Sequence, residues 1–119
     1  MDFSIPESTQ ALLTRIRDLM DTEVLPVEND YLGKSFLDAL PALNEVRRKV
    51  KDAGLWLPQI PKKYGGVGLS FMDYAIVCEQ LARSPYGNYC FNAQAPDAGN
   101  MEVLVEFGTD EQKNKWLKP

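Results

Sequence analysis

The sequence predicts an all-α fold, a single helical domain of roughly four to six helices packed as antiparallel neighbours. Three observations predict it. Apolar residues recur at helical spacing in several separate stretches, and Ser, Thr, Pro and Gly stand where helices start and stop. No stretch shows the alternation of a half-buried strand. The length of 119 residues fits one domain. With 45% hydrophobic and 25% charged residues, the chain has enough apolar side chains to close a core.

The first stretch runs over residues 8–25. Leu12, Ile16, Leu19, Met20 and Val24 fall on one face, and Arg15, Arg17, Asp18 and Asp21 fill the other. Ser4 and Glu7 have the spacing of a capping box before it. Pro26 marks an end or a kink, because it lacks an amide donor and restricts Leu25. Residues 28–35 are mostly polar, contain Gly33 and read as a loop. A second helix is expected from near Pro41 to Ala53. Leu43, Val46 and Val50 form its buried stripe, and Gly54 is the left-handed residue after it.

The prolines at 58 and 61 exclude a helix from Leu55 to Pro61, so an extended segment pinned to the core is expected there. Tyr64-Gly65-Gly66-Val67-Gly68 supplies a turn. It lacks the spacing and the Lys-Ser/Thr pair of a phosphate-binding loop, so a structural turn is the stronger reading. Ser70 opens a third helix, with Asp73 at the capping-box position. Its apolar set, Phe71, Tyr74, Ala75, Val77, Cys78 and Leu81, is broad enough to suggest a helix covered on more than one side.

Pro96 divides the next apolar segment. The part over residues 97–107 is its firmer helix, with Met101, Leu104, Val105 and Phe107 inward and Gly108 ending it. Thr109 and Gln112 then form a second capping-box signature, with Asp110 and Glu111 at the positive end of the helix dipole. Trp116 and Leu117 are the anchors of that last helix.

Charge and composition exclude several functions. The net charge is -4, which leaves no basic footprint for nucleic acid. The block Arg47-Arg48-Lys49 with Lys51 spreads over several helix faces and reads as solvated surface. No apolar run reaches the length of a membrane span, and no targeting segment is visible, so a cytoplasmic location is expected. Cys78 and Cys90 are expected as reduced thiols in such a chain. There is no histidine, so no histidine-based triad or histidine metal site can be built, and no metal is expected. Glu79 and Glu102 sit among apolar neighbours and are candidate perturbed carboxylates, with solvated helix positions the blander alternative. Tyr86, Tyr89 and Phe91 either line a pocket or pack the core.

Three segments together resemble the acyl-CoA dehydrogenase family. Gly54-Leu55-Trp56-Leu57-Pro58-Gln59-Ile60-Pro61-Lys62-Lys63-Tyr64-Gly65-Gly66-Val67-Gly68-Leu69-Ser70 is similar to the family's glycine-rich segment. Glu79-Gln80-Leu81-Ala82 follows it, as the family's Glu-x-Leu-Ala element does. Phe107-Gly108-Thr109-Asp110-Glu111-Gln112-Lys113-Asn114-Lys115-Trp116-Leu117 is similar to the family's Gly-Thr segment. Lys62 and Lys63 depart from the family pattern, which usually carries an acid there. The stretch from Ala95 to Leu104 resembles a branch that includes kinase-fused eukaryotic members and leans towards longer acyl chains.

The resemblance implies that residues 1–119 are the N-terminal helical domain of a three-part enzyme, with the middle β domain and the C-terminal helical domain absent from this chain. The whole enzyme would use FAD, desaturate an acyl-CoA thioester, pass electrons to an electron-transfer flavoprotein and form a homo-oligomer. No catalytic or cofactor-binding residue is expected in this chain, and none of it is expected to hold FAD alone. By the same resemblance, Phe91, Asn92, Gln94 and Ala95 would form one wall of the acyl-chain cavity. The isolated chain would then be inactive. The alternative is a stand-alone helical interaction module without catalytic activity. A family member that has lost its activity is a third reading.

Overall fold

The structure is a computed structural model, and it describes residues 4–117. Among these residues there is no strand, and the helices form six rods. The first rod contains α1 (Glu7–Leu19), a wide π turn (Met20–Val24) and α2 (Leu25–Tyr31). After it come α3 (Phe36–Asp52), α4 (Phe71–Leu81), α5 (Gly87–Phe91), α6 (Asp97–Phe107) and the single turn α7 (Asp110–Gln112). A second π turn, Lys113–Leu117, extends α7.

The first two helices differ from expectation at their prolines. The first rod passes Pro26 and ends only at Tyr31. The π turn before Pro26 makes this possible: Leu25 donates its amide to the Met20 carbonyl, a five-residue step. Widening the turn relieves the clash between a proline ring and the carbonyl one turn back. It also leaves both Met20 and Val24 fully buried. The second helix starts earlier than Pro41, at Phe36, and carries that proline in its second turn. Pro41 and Leu37 are both exposed, so water can reach the Leu37 carbonyl that the missing amide leaves free. At the first helix, Pro6 rather than Ser4 stands in the N-cap position.

Helix ends elsewhere follow the sequence closely. Gly54 takes φ 69°, and α3 closes with Leu55 N–H on the Val50 carbonyl (3.1 Å) and Gly54 N–H on that of Lys51 (2.9 Å). This is a Schellman ending, with buried Val50 and Leu55 as its apolar pair. Ser70 Oγ accepts the Asp73 amide at 3.2 Å at the start of α4. At α7 both halves of the capping box form, Gln112 N–H to Thr109 Oγ1 and Thr109 N–H to Gln112 Oε1.

The core joins α1 and its π turn, α3, α4 and α5. Leu13, Ile16, Met20 and Val24 face Leu43, Val46 and Val50, with Val77, Leu81 and Phe91 completing the cluster. Two outer helices are less covered than the apolar patterning suggests. On α4 only Val77 and Leu81 are buried, while Phe71 is 82% exposed and Ala75 also faces out. On α6 no residue is buried, and Phe107 is 75% exposed. The expected inward anchor Trp116 is 66% exposed, and Leu117 alone is buried in that turn. A broad apolar face reports capacity for burial, and the described residues pack against only part of it.

Candidate functional site around the α5–α6 junction

The glycine-rich turn that follows Ile60 is built from backbone hydrogen bonds. Val67 and Ile60 both donate amides to the Leu57 carbonyl, Gly68 donates to Ile60, and Leu69 donates to Pro58. The amides of Tyr64, Gly65 and Gly66 are likewise spent on Pro61 and Lys62 carbonyls. Every amide from Tyr64 to Leu69 is thus taken by the chain itself. The turn offers no free amides to a phosphate, and the residues present do not fit the pyrophosphate of a flavin. Gly66 is required by contact: a Cβ there would lie 2.7 Å from the Leu57 carbonyl oxygen and closer still to that of Ile60. Gly65 is required by its φ of 89°.

That turn, α4, α5 and α6 frame two grooves. The first, of about 530 Å³, lies between the C-terminal half of α3, the glycine-rich turn, α6 and the last turn of the chain. Arg47, Lys51 and Trp56 form one side, and Met101, Leu104 and Leu117 form the apolar side. The second, of about 650 Å³, lies between α4 and α6, with Gln59, Tyr74, Glu102 and Val105 on its walls. Tyr74 donates its hydroxyl to the Ala93 carbonyl at 3.2 Å, which ties α4 to the α5–α6 link. Burial, with the nearby Cys78 thiol adding to it, raises the Tyr74 phenol above its usual range.

The four residues proposed for the acyl cavity do not share one surface. Phe91 is fully buried in the core, and its carbonyl accepts the Leu57 amide at 3.1 Å. Asn92 caps α5 in the left-handed conformation, at φ 54°, and lines the first groove. Gln94 is half-buried and Ala95 exposed at the junction, and neither lines either groove. The structure therefore separates Phe91, a packing residue, and Asn92, buried at the edge of the first groove, from Gln94 and Ala95, which reach the surface.

Other candidates resolve individually. Tyr86 and Tyr89 pack around Phe36, at ring-centroid distances of 6.3 and 5.1 Å, so this aromatic set joins α3 to α5. Glu79 and Glu102 are exposed, and Glu102 borders the second groove. Both cysteines are free, and burial pushes the Cys90 thiol up to about 12. No group of residues that could hold a metal ion occurs among the described residues. No described helix is long and apolar enough to cross a membrane.

The basic block on α3 is more than solvated surface. Arg48 bridges Glu45 and Asp52, and Lys49 pairs with Glu23 at 2.6 Å. Arg47 lies between the rings of Trp56 (4.6 Å) and Tyr89 (4.3 Å) and donates to the Tyr89 carbonyl at 2.8 Å. Lys51 sits 4.4 Å from the Trp56 ring centroid. Helical spacing sends neighbouring residues to different faces, and each face here has its own partner. The aromatic partners come from outside α3, which is why the block alone did not reveal them.

Comparison with known proteins agrees with this architecture. The model of the acyl-CoA dehydrogenase N-terminal domain matches residues 6–119. Mouse acyl-CoA dehydrogenase family member 10 is 44% identical over 84 residues, which is 66% of this chain and 8% of that protein. Mouse family member 11 is 35% identical over 118 residues, covering 92% of this chain and 15% of that protein. A solved structure from Mycobacterium abscessus, assigned as an acyl-CoA dehydrogenase, superimposes with a TM-score of 0.83 at 36% identity. It covers 98% of this chain and 32% of its own. The chain therefore spans about a third or less of the length of these relatives. A helical fold with these caps, this glycine-rich turn and this family match identifies the chain as a member of the acyl-CoA dehydrogenase family, corresponding to its N-terminal domain.

Proposed function

We propose that the chain serves as the N-terminal helical part of a flavin-dependent acyl-CoA dehydrogenase and holds one wall of its acyl-chain cavity. The observation that carries this reading is the family match over residues 6–119. In the whole enzyme FAD, when bound, supplies the hydride acceptor for α,β-desaturation of an acyl-CoA thioester. A glutamate outside this chain takes the α-proton, and an electron-transfer flavoprotein takes the electrons. The glycine-rich turn spends its amides internally, which supports a flavin site elsewhere in the whole enzyme. The whole enzyme is a homo-oligomer of the cytoplasm.

This chain contributes shape to the reaction rather than chemistry. Ala95, exposed at the α5–α6 junction, is small, and Gln94 beside it is half-buried. These two leave room for a long acyl chain, and Phe91 and Asn92 hold the segment from the buried side. The isolated chain is inactive. The test is flavin retention on gel filtration. Protein that carries this domain within the whole enzyme stays yellow, whereas the 119-residue chain elutes colourless from added FAD. Stoichiometric flavin on the 119-residue chain contradicts the reading.

A second reading, a stand-alone helical interaction module, draws on one observation. Phe71, Met72, Val103 and Phe107 are 82%, 66%, 58% and 75% exposed. Exposed large apolar residues on adjacent helices mark surfaces that bind other protein. A colourless chain that pulls down no acyl-CoA-dependent activity but forms a stable complex with another protein favours this reading.

A further inference from the structure

The first groove carries features that neither packing nor the acyl wall uses. Its cationic side is unneutralised. Arg48, Lys49 and Arg83 all pair with carboxylates, but Arg47 and Lys51 pair with none of the described ones. Asp97 is the one acid on the lining, so the groove presents net positive charge on a chain whose net charge is -4. Deeper in, Asn92 is 8% exposed and its buried Oδ1 accepts no hydrogen bond. Its Nδ2 has only a weak contact with the Met101 sulfur, at 3.9 Å. A buried carbonyl oxygen without a donor is costly unless something supplies one.

Aromatic rings surround this polar pair. Both tryptophans of the chain, Trp56 and Trp116, line the groove together with Tyr64. Arg47 and Lys51 already lie over Trp56, while Trp116 is 66% exposed and has Lys115 4.9 Å from its ring centroid, so a base would stack on the Trp116 face away from that ammonium. Leu57, Met101 and Leu104 make an apolar floor. A complementary ligand is flat and apolar in face, carries an N–H for the Asn92 oxygen and ends in an anion. A sugar phosphate lacks the flat face, and inorganic phosphate lacks both face and donor.

We propose that this groove binds a purine nucleotide. The two-ring base lies on the apolar floor against Trp116 and donates an exocyclic N–H to Asn92 Oδ1. The phosphates lie at Lys51, with Arg47 adding charge from between its two rings. Asn92 is common to this proposal and the acyl-wall reading, but Gln94 and Ala95 do not line this groove, so the two readings are tested at different residues.

Both tryptophans face the ligand, so tryptophan fluorescence of the full 119-residue chain reads binding directly. ADP, adenosine and pyrophosphate are titrated separately, and far-UV circular dichroism checks that each variant is folded. ADP is expected to quench saturably, with adenosine weaker and pyrophosphate at least about tenfold weaker than ADP. Lys51→Gln is expected to weaken ADP about tenfold and leave adenosine unchanged. Asn92→Gly keeps the left-handed backbone and is expected to weaken ADP and adenosine alike by about tenfold. If that variant unfolds, the Lys51→Gln contrast between ADP and adenosine decides. Three results overturn the proposal: no saturable change with ADP on folded chain, pyrophosphate binding as tightly as ADP, or ADP affinity unmoved by Lys51→Gln.

Discussion

Thr9 Oγ1 donates to Asp73 Oδ1 at 2.7 Å and so ties the first turn of α1 to the first turn of α4, across 64 positions of sequence. The other carboxylate oxygen accepts from Ser70 Oγ at 2.6 Å. One aspartate thus organises the start of its own helix and holds a distant one. Thr9 is 5% exposed, so its hydroxyl has little access to water as a substitute. Thr9→Val keeps the shape and removes the donor. It is expected to cost about 1–2 kcal/mol in urea unfolding, and a Thr9→Val, Asp73→Asn double-mutant cycle should show coupling of similar size. Strict additivity of the two changes would refute the tie.

The same carboxylate gives stability a pH dependence. The Ser70 hydroxyl, then that of Thr9, hold Asp73 below its ordinary value of 3.8. A carboxyl with a depressed folded-state pKa adds stability that is present above its unfolded value. That stability is lost as the pH falls through the folded one. The stability gap between the native chain and Asp73→Asn should therefore be largest near neutrality and shrink in acid. A gap that is constant from neutral pH down to about pH 3 would contradict this.

Two glycines should respond unequally to alanine. At Gly66 a Cβ would press on the backbone carbonyls of Ile60 and Leu57, which cannot move without breaking the turn's hydrogen bonds. Gly66→Ala is expected to cost about 3 kcal/mol or more. Gly54 has φ 69° but open space around it, so Gly54→Ala should cost only about 1 kcal/mol. Equal losses in thermal unfolding would show that the turn yields more easily than its geometry implies.

The helix ends were legible because they are local. Ser70, Thr109 with Gln112, and Gly54 each act within one turn of chain, and their signatures became the observed caps. The prolines misled because their effect depends on what surrounds them. A π turn absorbs Pro26, and solvent serves the carbonyl opposite Pro41. The outward faces of α4 and α6 were hidden for a related reason. Apolar patterning states what a helix can bury, and only the tertiary arrangement decides whether Phe71 or Phe107 is covered. The Arg47–Tyr89 contact joins positions 42 apart in sequence, and whether the Asn92 oxygen finds a donor is decided by the tertiary arrangement, so no spacing rule could expose either.

Thiol chemistry offers a check on the core. Cys90 is fully buried, with burial pushing its thiol up to about 12, and Cys78 is half-buried. In native protein near neutral pH, Cys90 should resist a water-soluble thiol reagent and react only on unfolding. Rapid labelling of both cysteines, mapped by mass spectrometry, would contradict the packing of α5.

Ala95→Phe probes the acyl wall. Because Ala95 is exposed here, the substitution should change the stability of this chain by no more than about 0.5 kcal/mol. In the whole enzyme it should lower kcat/KM for long acyl-CoA substrates by about tenfold or more and spare short ones. An unchanged chain-length profile would remove Ala95 from the wall.

We propose that this domain serves an enzyme which desaturates acyl-CoA thioesters. The most direct measurement is an anaerobic titration of the whole flavoprotein with saturated acyl-CoA substrates of increasing chain length. Loss of the oxidised flavin absorbance and formation of the enoyl-CoA product are expected, most readily with a long chain. A folded, flavin-loaded protein whose absorbance no acyl-CoA changes would contradict the proposal.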